Sequence, residues 1–203
     1  MEKYNYTAKT EEAAKEQALY ELKLNDNDII YTKKEVKAGL FGKKIEIEVV
    51  KKDDIYKLIR ENLERITNKM GIDTKIEIKT KEYTPVIVIY SEDNSILIGK
   101  QGKNLNALTT IIRQIVNREV GQSFKFSLDV GEYKKRRERD IIRIAKQTAK
   151  EVAKTKIAAS LDSMNSYERR IIHNALNNWK DVYTESEGKE PNRYVVIKPK
   201  EEK

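Results

Sequence analysis

The chain has 203 residues, 38% of them hydrophobic and 36% charged, with no cysteine, a single histidine and a formal net charge of +8. Disulfide frames, thiolate metal cages and cysteine nucleophiles are thereby excluded, and no stretch approaches the apolar length of a membrane span. The charge rises along the chain, from −1 over residues 1–50 to +3 over 51–130 and +6 over 131–203, so a polyanionic partner is expected to meet the later parts.

The first fifty residues read as strand, helix, strand, strand. Thr10 can cap a helix whose first turn carries Glu11 and Glu12, favourable beside the positive helix end, with Ala14, Ala18, Leu19 and Leu22 as its apolar stripe. Asn25 to Asp28 breaks the helix and Ile29-Ile30-Tyr31 begins an extended segment. Ile45, Ile47 and Val49 alternate with Lys44, Glu46 and Glu48, the pattern of a strand with one buried face. Between these segments lies Gly39-Leu40-Phe41-Gly42, which suits either a turn tucked into the core or an exposed docking loop.

A helix carrying Ile55, Leu58, Ile59, Leu63, Ile66 and Met70 follows with no Gly/Pro/Ser-rich linker and stops before Gly71. Ile76 and Ile78 alternate with lysine and glutamate, and Val86 to Tyr90 is continuous enough to be a central strand. A short helical turn at Asn94–Ile98 leads into Gly99-Lys100-Gln101-Gly102. The next helix carries Leu105, Leu108, Ile112, Ile115 and Val116, and the alternation of Phe124, Phe126, Leu128 and Val130 marks another strand. A layered α/β or α+β domain of about eighty residues satisfies this order.

A basic helix is expected from about Glu132 to Lys156, facing inward with Ile141, Ala145, Thr148, Ala149 and Val152. Its first half is crowded by Lys134, Lys135, Arg136, Arg137, Arg139 and Arg143, an unfavourable place for cations with respect to the helix dipole. An anionic partner would relieve that cost; a solvated face is the alternative. Asn165 and Glu168 have capping-box spacing at the start of a helix running through Trp179 with Ile171, Ile172, Ala175 and Leu176. Strands are expected around Val182-Tyr183-Thr184 and Tyr194-Val195-Val196-Ile197.

Two groups could carry chemistry. At 99–102 the glycines permit a sharp turn and close approach, and the helix that follows points its first N–H groups outward, suited to phosphate. Lys100 and Lys103 can supplement those donors, while Ile96, Leu97, Ile98 and Leu105 supply apolar area for the core or for the floor of a base-binding groove. Dinucleotide-type and P-loop glycine motifs are absent. Arg169 and His173 are four residues apart on one helix face, with Arg170 beside them and Arg193 able to arrive from the later strand. They could grip phosphate or stack with a base; a structural role, with the imidazole bonding backbone near Trp179, competes. Tyr133, Tyr167 and Tyr183 are weaker stacking candidates. No carboxylate pair stands out as acid/base apparatus, so no catalytic residue, cofactor or metal site is expected.

These residues carry a resemblance. Ile98-Gly99-Lys100-Gln101-Gly102 with Leu105 and Leu108 resembles a type II KH domain. Glu168-Arg169-Arg170-Ile171-Ile172-His173, with Thr184 to Gly188 and Pro191-Asn192-Arg193, resembles the R-three-H domain, whose defining Arg-x-x-x-His falls on Arg169 and His173. Ala8 to Ala14 and Gly39 to Gly42 are similar to the Jag N-terminal domain. The three-part order resembles the bacterial Jag/KhpB family, also called EloR or SpoIIIJ-associated, along the whole chain.

The resemblance implies an α+β protein of three small domains. These are an N-terminal β-α-β-β domain at 1–51, a type II KH domain (α-β-β-α-α-β) at 52–130, and a C-terminal R-three-H domain with its leading basic helix at 131–203. It implies a cytoplasmic, non-enzymatic binder of single-stranded RNA linked to cell elongation and division. Gly99, Lys100, Gln101 and Gly102 would hold the backbone of a short strand, and Arg169 and His173 would be the named nucleic-acid pair of the last domain. Single-stranded DNA is an alternative ligand. A small single-KH protein or a second copy of the chain are partner candidates, and a protein-interaction scaffold is the rival role. Direct membrane insertion is not expected.

Overall fold

The computed structural model describes residues 1–38, 42–81 and 84–200. Leu40 and Phe41, read from sequence as a turn or a docking loop, lie outside the described residues. The chain forms two compact units, residues 1–131 and 132–203.

The first unit begins with β1 (Tyr4–Ala8), α1 (Glu11–Leu22), β2 (Ile29–Ala38) and β3 (Gly42–Lys51). The strands form an antiparallel sheet in the order β1-β3-β2, with Tyr6 opposite Ile47 and Tyr31 opposite Val49. As the alternation predicts, Ile47 and Val49 face Ala14 and Ala18 in one apolar cluster with Tyr6 and Ile29. The small alanines let α1 lie close to the sheet. Thr10 caps the helix, its Oγ1 accepting from Ala13 N at 3.2 Å. Glu11 reaches from the first turn to β2, accepting from Tyr31 Oη and Lys33 Nζ at 2.8 Å each, and these bonds hold its carboxyl below the usual range.

Lys51 ends β3 and Lys52 begins α2 (Lys52–Lys69), so the backbone passes from one layer to the next without a spacer. There follow β4 (Lys75–Lys81), β5 (Thr84–Tyr90), α3 (Asn94–Ile98), α4 (Lys103–Val120) and β6 (Ser127–Val130). Strand order is β4-β5-β6, with β4 antiparallel and β6 parallel to the central β5. Ile76 pairs with Ile89, Ile87 with Leu128 and Ile89 with Val130, which places these residues on one face. Ile55, Ile59 and Leu63 from α2 and Leu105, Leu108, Ile112 and Val116 from α4 are buried as the helical side of this core. Each fully buried Ile or Leu contributes about 1.5–3 kcal/mol by area, so this interior anchors the α3–α4 corner. Gln122 Nε2 donates to Tyr31 O at 2.8 Å and ties the layer to the first sheet.

Two details depart from the sequence reading here. Met70 is exposed, because α2 stops at Lys69 and the chain turns so that Ile72 is buried instead. Phe124 and Phe126 are buried as expected, but the strand begins only at Ser127; Phe124 N donates to Asn117 Oδ1 at 2.9 Å, a side-chain bond in place of a ladder bond.

The second unit comprises α5 (Tyr133–Thr155), β7 (Ala159–Ser160), α6 (Ser166–Leu176), β8 (Val182–Glu187) and β9 (Tyr194–Pro199). The sheet order is β7-β9-β8, antiparallel throughout; the two-residue β7 is too short to leave a pattern in the sequence. Ala145, Ala149 and Val152 of α5 meet Ile172 and Leu176 of α6 and Val182, Val195 and Ile197 of the sheet. Thr148, expected to face inward, is only half-buried. α6 ends at Leu176 rather than at Trp179, whose N–H closes a turn onto Leu176 O at 3.0 Å. Asn177 and Asn178 explain the stop, since asparagine side chains compete for backbone hydrogen bonds and favour turns.

Candidate nucleic-acid interface

The Gly99–Gly102 loop sits where α3 hands over to α4. Asp93 caps α3, accepting from Ser95 N at 2.8 Å, and Gly99 N closes the helix onto Ser95 O at 2.8 Å. Gly99 has φ +68° and ψ 176°, and a Cβ there would stand 2.5 Å from Asn104 Cγ. Asn104 is held in place by donating from Nδ2 to Ile96 O at 2.7 Å. Glycine is thus required twice over at position 99, by dihedral and by contact. Lys100 to Gly102 make one 3-10 turn, in which Gln101 adopts φ +55° and Gly102 φ +77°. A non-glycine residue in the left-handed region costs about 1 kcal/mol, a strain this turn stores in Gln101.

α4 then starts at Lys103 with no side chain capping it and no acidic residue in its first turn. Lys100 and Lys103 are exposed on either side of this helix start. The positive helix end and two ammonium groups therefore coincide. The apolar residues divide. Leu97 and Leu105 are each 1% exposed and belong to the core, Ile98 is half-buried, and Ile96 is 49% exposed.

The Arg-x-x-x-His group has a different character. The capping box at the start of α6 is present: Asn165 Oδ1 accepts from Glu168 N at 3.0 Å and Asn165 N donates to Glu168 Oε2 at 3.3 Å. The other carboxylate oxygen of Glu168 accepts from Arg137 Nε at 2.7 Å, and both partners are largely buried. Arg137 of the basic cluster is therefore committed inside the fold, while Lys134, Lys135 and Arg136 are exposed.

Arg169 is only 7% exposed; its Nη2 donates to Glu190 Oε1, and its Nε is buried with no partner. His173 lies within hydrogen-bond reach of two hydroxyls, Nδ1 at 2.6 Å from Thr184 Oγ1 and Nε2 at 2.9 Å from Ser186 Oγ. These hydroxyls, rather than backbone near Trp179, are its partners. Being two residues apart, they share one face of β8, whereas Glu185 and Glu187 on the opposite face both pair with Lys198. Burial, and secondarily the charge of Arg169, push the His173 pKa below its ordinary value, so the ring is neutral near pH 7. Arg193 is half-buried, its Nη2 3.5 Å from Ser186 O and its Nε buried without a partner. The structure therefore gathers Arg169, His173 and Arg193 around Ser186 and Glu190, and leaves Arg170 exposed away from them. The roles of Thr184, Ser186 and Glu190 were missed, although alternation along the strand pairs the two hydroxyls. Tyr167 and Tyr183 are exposed, and Tyr133 is half-buried.

Among the described residues no cluster of His, Asp or Glu could hold a metal ion, and no helix is long and apolar enough to cross a membrane.

Comparison with known proteins agrees with this arrangement. Residues 56–130 match the KhpA/KhpB KH domain family, and residues 139–199 match the R-three-H domain family. The chain is 36% identical over 208 residues to the RNA-binding protein KhpB of Clostridium symbiosum, covering 100% of this chain and 94% of that one. It is 33% identical over 165 residues to the RNA-binding protein KhpB of Bacillus subtilis (strain 168), covering 80% and 79%. With the full length aligned and both domain families matched in order, the chain belongs to the KhpB family.

Proposed function

We propose that the protein binds single-stranded RNA and acts as a post-transcriptional regulator rather than an enzyme. Both matched domain families and the names of its relatives support this reading. The observation that carries the loop's role is the uncapped start of α4, framed by two positive-φ glycines and by the exposed Lys100 and Lys103. Backbone N–H groups and ammonium groups there suit phosphate oxygens, while Ile98 and the more open Ile96 suit the faces of unpaired bases. The parallel β5–β6 pairing and the α-β-β-α-α-β order support the type II subtype, with the three domains divided at 1–51, 52–130 and 131–203.

In the last domain, Lys135, Arg136 and Arg170 are among the exposed cations open to phosphate. Arg169, His173 and Arg193 contribute by shaping the surface on which Glu190 would have to yield. A cytoplasmic place, a link to cell elongation, and pairing with a small KH protein belong to the same proposal. Single-stranded DNA is discriminated only if a 2′-hydroxyl is read.

The test compares matched short RNA, DNA and duplex RNA at two salt concentrations, for the wild type and the Lys100→Asp/Gln101→Asp variant. A fall in RNA affinity of tenfold or more, with an unchanged melting temperature, is expected. Undiminished affinity in the folded variant would remove the loop from the mechanism. The rival role, a protein-interaction scaffold, draws on Ile96 and Ile111, each 49% exposed, but two separated isoleucines make only a small apolar area.

A further inference from the structure

The helix α5 carries a second feature that neither the loop nor the Arg-x-x-x-His group uses. Arg139, Arg143, Lys146 and Lys150 are spaced four, three and four residues apart and are all exposed. At 100° per residue they fall within an arc of about 60°, and at 1.5 Å per residue they span roughly 16 Å. Together with Ile142 and Gln147 they line an open trough of about 580 Å³. Lys135 and Arg136 continue the same line toward the start of the helix.

Charge in this stripe is left unneutralised. Among the described residues Arg139, Lys146 and Lys150 have no ion-pair partner, and Arg143 has only an exposed contact with Asp140 at 3.8 Å, which contributes little. The contrast with Arg137 on another face of the same helix is direct, because that guanidinium is neutralised by Glu168. The acidic residues of the helix flank the line, Glu138 on one side and Asp140 and Glu151 on the other, each about 100° or more from Arg139.

We propose that Arg139, Arg143, Lys146 and Lys150 form a sequence-independent track for the phosphate backbone of a single RNA strand; this rests on the RNA-binding reading above. Successive cations one helical turn or slightly less apart match the step between adjacent phosphates of an extended strand. Two guanidiniums can each hold a phosphate through paired N–H groups, and two ammonium groups serve as point charges. A bilayer is disfavoured as the partner because Ile142, the one large apolar side chain at the trough, is half-buried and offers nothing to insert. The track adds affinity and salt dependence without adding sequence preference.

The full-length protein is titrated with an RNA of about four nucleotides, the span that a KH loop clamps, and with a strand several times longer, each over a range of salt. The variant is Arg139→Gln/Arg143→Gln/Lys146→Gln/Lys150→Gln, with its fold checked by circular dichroism and melting. Loss of four phosphate contacts should lower the slope of log affinity against log salt by about 2–3 for the long strand. Long-strand affinity should fall at least tenfold near physiological salt, with less than a twofold change for the short one. Arg139→Lys/Arg143→Lys, which keeps the charge, should preserve most of the slope.

An unchanged long-strand slope in the folded quadruple glutamine variant, while the wild type binds RNA, overturns the track and leaves the loop mechanism standing. Absence of RNA binding by the wild type overturns both. Displacement of the long strand from the wild type by poly-glutamate at equal charge would mark a general polyanion or acidic-protein surface and overturn the assignment to RNA.

Discussion

The loop at 99–102 and the group around Arg169 are both named by short motifs with cationic residues, yet they use charge in opposite ways. Lys100 and Lys103 stand exposed beside a helix end that no side chain caps. Arg169 and Arg137 instead lie largely within the fold against Glu190 and Glu168, and both nitrogens of His173 are within reach of hydroxyls. A cation held in place by a carboxylate of its own fold must give up that partner before it can serve a ligand; a cation in water gives up only hydration. The loop therefore leaves its cations available, whereas much of the Arg-x-x-x-His group is engaged within the fold.

This contrast can be broken most forcefully at Glu168. Glu168→Ala removes the capping box and strands the largely buried Arg137, and should cost about 3 kcal/mol of stability in a denaturant titration. A loss below about 1 kcal/mol would show that the internal ion pair is dispensable. Gly99→Ala should follow, because its Cβ collides with Asn104 at a positive φ. About 2 kcal/mol of destabilisation and a tenfold or greater loss of RNA affinity are expected, and normal binding would mean that the turn need not keep this shape.

The arginines at 169 and 170 sharpen the comparison further. Arg169→Ala should lower the melting temperature by several degrees, whereas Arg170→Ala should change stability by less than about 0.5 kcal/mol and weaken RNA binding measurably. The reverse pattern would assign Arg169 to the ligand.

The smallest effect is on pH. The His173 pKa is depressed in the folded state, so the unfolded chain takes up the proton first as pH falls. The stability associated with the neutral ring is present above the ordinary histidine value near 6.5 and is lost as pH drops through the folded value. Melting curves at pH 7.5 and 5 should therefore differ less for His173→Gln than for the wild type. An identical difference would show that folding does not depress the pKa of the ring.

Elements whose cause is local were legible in advance. The α2 and α4 stripes, the Thr10 cap and the Asn165–Glu168 box each depend on residues within a turn or two, and each is present. The cationic loop was legible for the same reason, since glycine spacing and helix onset are close in sequence. Errors fell where a distant or competing partner decides. The Phe124 N–H is taken by Asn117, α6 is stopped by two asparagines, and Arg137 is claimed by a glutamate thirty-one residues away.

By itself, the sequence determined where amphipathic helices and alternating strands form and where backbone must turn, because periodicity and glycine or cap chemistry act over a few residues. It also determined that cations accumulate toward the C-terminus. Tertiary structure alone decided which of those cations remain available. Neutralisation requires a carboxylate brought within hydrogen-bond distance by packing, and no spacing rule could show that Arg137 and Arg169 would meet one while Lys100 and the outer stripe of α5 would not.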